Sequence, residues 1–99
     1  MTKLREFRDF REILKEDLQD TAFAAEYINE AIASGDKKVF LTALRDVIEA
    51  RGSITDFAQQ TDIPRQSIYR MLSEEGNPTV DKLAAIFEAM GFRIQVVPA

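Results

Sequence analysis

Within the stretch TDIPRQSIYRML, residues 61–72, five polar side chains crowd one short segment: Arg65, Gln66, Ser67, Tyr69 and Arg70. If the segment is a helix with Ile68 facing inward, Leu72 lies about 40° from that direction, Gln66 about 160° and Arg70 about 200°. Ile68 and Leu72 then share a core face, while Gln66 and Arg70 point outward. Ser67 and Tyr69 flank them, and Arg65 sits at the exposed N-terminal end. These residue types match the edges of DNA bases. A guanidinium can make paired bonds to guanine, a carboxamide to adenine, and hydroxyl groups can reach phosphates or base edges. The other use of such a row is plain solvation of a small helical protein, which would account for each residue alone. It accounts less well for the row together with the inward residues and the loop GNPT that follows.

The overall charge argues mildly the other way. The chain has 99 residues, a net charge of −4 and, at 45% hydrophobic and 30% charged, the composition of an ordinary globular domain. Its charge is unevenly spread. Residues 1–35 hold five Lys/Arg against eight Asp/Glu, whereas residues 37–72 hold six against four. The polar row thus lies in the one locally basic stretch, so an electropositive patch on an acidic body is expected. There is no Cys and no His. That excludes a disulfide framework, thiolate or imidazole metal ligation, and His-based catalysis. No metal site, cofactor or catalytic group is expected. The carboxylates of REFRDFREILKED are explained by a solvated helix better than by a catalytic pair, and the Phe and Met residues at helical spacing are core. The start MTKLREF lacks the apolar run of a leader, and no run is long enough to span a bilayer, so a cytoplasmic protein free of membrane is expected.

The elements that must position the row are mostly helices. In KLREFRDFREILKEDLQD, the spacing of Phe7, Phe10, Leu14 and Leu18 suits an amphipathic helix, with the first ten residues also readable as an extended arm. Asp20 or Thr21 can cap a second helix bearing Phe23, Tyr27, Ile28, Ala31 and Ile32, which Ser34-Gly35 ends. Asp36 can cap a third, with the stripe Phe40, Leu41, Leu44, Val47 and Ile48, closed by Gly52. Ser53 opens a short helix, ITDFAQQT, with Ile54, Phe57 and Ala58 inward. After the row, Gly76 is expected to supply a positive φ, and Asn77-Pro78 to prevent continuation. Thr79 begins a last helix with Val80, Leu83, Ala84, Ile86, Phe87 and Met90 on one face and Gly91 as its stop. The tail FRIQVV alternates and predicts a short C-terminal β-strand, which would need a partner edge.

The helices at 54–61 and 64–73, with small Ala58 on the first and apolar Ile63 in the turn, have the spacing of a helix-turn-helix. Leu44, Val47, Phe57, Ala58, Ile63, Ile68, Leu72, Leu83 and Phe87 form its expected core. The positive ends of both short helices would face phosphates.

With these blocks in place, a resemblance emerges. ITDFAQQTDIPRQSIYRMLSEEGNPTVDKLAAIFEAMGF resembles the helix-turn-helix domain of the Xre/Cro/C1 repressors. FAAEYINEAIASGD, FLTALRDVIEARG and IYRMLSEEGNPTVDKLAAIFEAMGFRIQV are similar to the small addiction-module antidote proteins, the antitoxin halves of type II toxin–antitoxin pairs of the HigA type. The resemblance implies a mainly α, five- to six-helix domain of the lambda-repressor-like type, at residues 36–99, behind an N-terminal arm and helix at 1–35. It further implies a homodimeric, DNA-binding antitoxin that represses its own operon and neutralises a RelE/ParE-like toxin. Arg65, Gln66, Ser67, Tyr69 and Arg70 would contact operator DNA, with Ser53, Thr55, Asn77 and Thr79 beside them. One position departs from the pattern: many such repressors begin the first short helix with Gln, where this chain has Ile54, leaving phosphate binding to Ser53 and Thr55. The competing readings are a stand-alone Xre-type regulator without a toxin, and a protein-interaction module that has lost DNA binding.

Overall fold

A computed structural model describes residues 9–73 and 75–99. Among them are six helices: α1 (Phe10–Asp17), α2 (Thr21–Ala33), α3 (Lys37–Arg51), α4 (Ile54–Thr61), α5 (Arg65–Leu72) and α6 (Val80–Ala89). Five start at a side-chain cap. Asp9, Asp20 and Asp36 accept from the backbone N–H groups of Arg11, Ala22 and Lys38 at 2.8–2.9 Å. Ser53 and Thr79 accept from those of Asp56 and Lys82 at 3.1 and 3.2 Å. Each cap satisfies an otherwise orphaned donor and contributes about 1 kcal/mol. The exception is α5, whose cap position is Pro64 and which has no side-chain cap.

The longest helix, α3, organises the rest. Its apolar positions repeat around most of its circumference, and Leu41, Ala43, Leu44, Val47, Ile48 and Ala50 are all buried. It packs against α1, α2, α4 and α5, and α4 packs in turn against α5 and α6. One core results, running from Leu18 and Ile28 through Leu44 and Ile48 to Ile68, Ile86 and Met90. Fully burying a side chain of this size contributes about 1.5–3 kcal/mol. Arg51, at the end of α3, pins the periphery. Its guanidinium donates to the carbonyls of Leu18 and Gln19 at 3.4 and 3.0 Å, to Thr21 Oγ1 at 3.2 Å and to the Met90 carbonyl at 3.3 Å. It also lies 5.9 Å from the centroid of the Phe92 ring. A single fork of donors therefore joins the α1–α2 turn, the end of α3 and the end of α6. Gln19 adds a bond from its amide to the Ala50 carbonyl.

Several expectations need correction. Residues 92–99 form no strand. Phe92 packs on Phe87, with ring centroids 6.4 Å apart. Phe92 and Ile94 line a mostly apolar cleft of about 600 Å³ with Ile28, Ile32 and Phe40. The alternation does not translate into a packed face: Gln95 lines the cleft as well, and Val96 is 93% exposed. Phe23, Ile32 and Val80, expected inward, are exposed, because α2 turns Ala24, Ile28 and Ala31 to the core and α6 turns Ile86 and Phe87. Ala84 is exposed too, and Ala58 and Leu83 are half-buried, packing at the margin of the core. Phe10 is exposed, while Leu4 and Phe7 lie outside the described residues. Gly76 does not have a positive φ; Gly35 and Gly91, which end α2 and follow α6, do. Its need for glycine is steric. A Cβ there would overlap the Met71 carbonyl oxygen and stand 2.6 Å from its carbon and 2.8 Å from the Arg70 carbonyl oxygen. Among the described residues no helix is long and apolar enough to cross a membrane.

Candidate nucleic-acid interface

The polar row lies on α5, and the local sequence explains why it faces out. Ile68, Met71 and Leu72 are buried, so the helix is anchored along one face. Met71 was not among the residues expected in the core, although it stands about 60° from Ile68 on the other side from Leu72. Away from that face, Gln66, Tyr69 and Arg70 are exposed, Arg65 is exposed at the N-terminal end of the helix, and Ser67 is half-buried at the edge. The Arg65 guanidinium sits 5.6 Å from the centroid of the Tyr69 ring, so the first turn carries a cation held against an aromatic face.

The connection from α4 to α5 fixes this presentation. Thr61 Oγ1 donates to the Phe57 carbonyl at 2.6 Å and accepts from the Ile63 N–H at 3.3 Å. Asp62 takes a left-handed backbone, with φ 58° and ψ 17°, reversing the chain within one residue. Ile63 is buried beneath the turn, and Pro64, the capping position before α5, has φ −56° and ψ 139° and no N–H to leave unsatisfied. The Ser67 and Ile68 N–H groups both bond to the Pro64 carbonyl, at 2.8 and 3.1 Å. The left-handed Asp62 was not anticipated; an Asp just past the end of a helix is the type of residue that tolerates it.

The remaining expected contact residues flank the row in sequence. Ser53, Thr55, Asn77 and Thr79 are all exposed. Ser53 and Thr79 each give a hydroxyl lone pair to a helix cap, which leaves the O–H proton of each available to a phosphate oxygen. Ile54 is buried, so this position belongs to the core.

A family model described as probable addiction module antidote protein matches residues 8–98. The chain belongs to that family. A protein of Haemophilus influenzae (strain Rd), itself described as uncharacterized, is 31% identical to this antidote over 70 residues, covering 71% of each chain. No solved structure matches. Membership gives the chain the antitoxin role in a toxin–antitoxin module, and with it a toxin as partner in general. That role is typically filled without catalysis: an antidote needs surfaces, one of which holds its toxin.

Proposed function

We propose that this antidote is a HigA-type antitoxin that also binds DNA, with α4 and α5 as a helix-turn-helix of the Xre class and α5 as the recognition helix. It represses its own operon as a homodimer in the cytoplasm and neutralises a RelE/ParE-like toxin. The observation that carries the DNA reading is that α5 buries Ile68, Met71 and Leu72 and leaves Gln66, Tyr69 and Arg70 exposed on the rest of its circumference, with Arg65 exposed at its first turn. A merely solvated helix has no need of a guanidinium and a carboxamide side by side on one face, with a second guanidinium at its first turn.

Arg65 and Gln66 read base edges in the major groove, and Arg70 reads a base or clamps a phosphate. Tyr69 and Ser67 border them. Ser53, Thr55, Asn77 and Thr79 contact the phosphates on either side. One such unit covers too few base pairs for strong discrimination, so two copies read a palindrome with half-sites about 34 Å apart. The acidic total charge is compatible with this, because only the contact face must be positive. A gel shift on the promoter shared by antidote and toxin tests the reading. Wild type should retard that fragment, and Arg65→Ala/Arg70→Ala should not; equal retardation by both would overturn the assignment of α5.

A further inference from the structure

Arg65 and Tyr69 stand one helical turn apart on α5, so their side chains are neighbours on its surface. They leave the helix in different directions. Measured from Ile68 at 100° per residue, Arg65 lies at about 60°, Tyr69 at about 100°, Gln66 at about 160° and Arg70 at about 200°. By backbone direction alone, Arg65 therefore starts near the core side, beside buried Leu72 at about 40°. Tyr69 stands between it and the outward pair. Tyr69 is 42% exposed, and the Arg65 guanidinium lies over its ring, 5.6 Å from the centroid.

We propose that Tyr69 is a positioning residue: its ring aims the Arg65 guanidinium, and it sets the base preference of α5 through Arg65 without reading a base itself. The proposal rests on the reading of α5 as recognition helix and adds how the guanidinium at its first turn is brought to bear. Contact with Tyr69 turns the cation away from the core side, in the direction of Gln66 and Arg70. A free arginine side chain samples many rotamers and loses them on binding; one already held against a ring loses fewer. The chemistry of the holder matters as well. A ring attracts the cation through its π face and leaves N–H donors free for the O6 and N7 acceptors of a guanine. A carboxylate in the same place would occupy those donors and cancel the charge.

The test measures affinity for the promoter duplex and for a panel of single-substitution operators. Tyr69→Leu removes the ring and keeps apolar bulk, whereas Tyr69→Phe keeps the ring and removes the hydroxyl. Tyr69→Leu should weaken promoter binding about three- to tenfold and relax the preference at the same base pair that Arg65→Ala relaxes. In an Arg65→Ala background it should add less than about twofold, because the two side chains act as one. Tyr69→Phe should recover binding to within about twofold of wild type, with the preference intact. Base preference is a ratio of affinities within one variant, so a smaller folded fraction cannot imitate its loss. A loss in Tyr69→Phe as large as in Tyr69→Leu overturns the proposal, since the hydroxyl would then be the contact. So does a uniform loss across the panel, or an equal effect of Tyr69→Leu with and without Arg65. If wild type itself does not select the promoter, the recognition-helix reading falls and the positioning with it. If wild type selects the promoter and Tyr69→Leu binds alike, only the role of Tyr69 is wrong.

Discussion

Asp62 and Gln66 stand four residues apart and do different work. Asp62 reverses the chain with a left-handed backbone, φ 58°, that a β-branched residue adopts only with strain. Asp62→Val should therefore cost about 1–2 kcal/mol of stability, whereas Asp62→Gly should hold or improve it. Urea unfolding of the two variants checks this, and equal stabilities would mean that the turn does not depend on that conformation. Gln66 is exposed and bears no structural load, so its removal should appear only in binding. Gln66→Ala should cost about 1–3 kcal/mol on the operator and relax specificity at one base position, read by a panel of single-substitution operators. A uniform loss across the panel would place Gln66 on the backbone of the DNA. Glycine usage was legible here by residue type and not by cause. Gly76 interrupts the chain as expected after α5, yet what requires it is the Met71 carbonyl five residues earlier, which leaves no room for a Cβ.

Helix starts were the most legible elements, because Asp20, Asp36, Ser53 and Thr79 each cap in the way their position before an apolar run implies. The tail misled because its alternation matches no alternation in burial: Phe92 packs on Phe87, Ile94 and Gln95 both line the cleft, and Val96 is left to solvent. Arg51 was also invisible, being one more charged residue near a helix end until the fold brings four acceptors to it from the α1–α2 connection and the end of α6. Arg51→Ala should loosen the packing of those segments and cost about 1–3 kcal/mol. Arg51→Lys should restore little, since one ammonium lacks the planar fork that spans them. Full rescue by lysine in thermal unfolding would show that charge alone matters. Between α2 and α3, the Tyr27 hydroxyl donates to Asp46 Oδ2 at 2.7 Å. Burial first, then that hydrogen bond and the Asp46 charge, push the tyrosine up to about 12. The neutral phenol is thus favoured more in the folded chain than in the unfolded one, where it titrates near 10. Its contribution is complete below pH 10 and is lost as pH rises toward 12. Stability measured across that window should fall more steeply for wild type than for Tyr27→Phe; parallel curves would remove this pair from the account.

At the scale of the whole molecule, the proposed function asks a protein of net charge −4 to hold polyanionic DNA on one face. The carboxylates of α1 and the guanidinium groups of α5 stand on different helices, both packed on α3. Operator affinity must then come from few cations, and it should fall steeply with salt, as phosphate contacts release counterions. The most direct test is fluorescence anisotropy of the full-length chain on a duplex from its own promoter and on a scrambled duplex of the same composition, at two salt concentrations. The account predicts that the promoter is bound at least about a thousandfold more tightly, and that affinity for both duplexes drops as salt rises. Equal affinity for the two duplexes, or no binding to either, would contradict it.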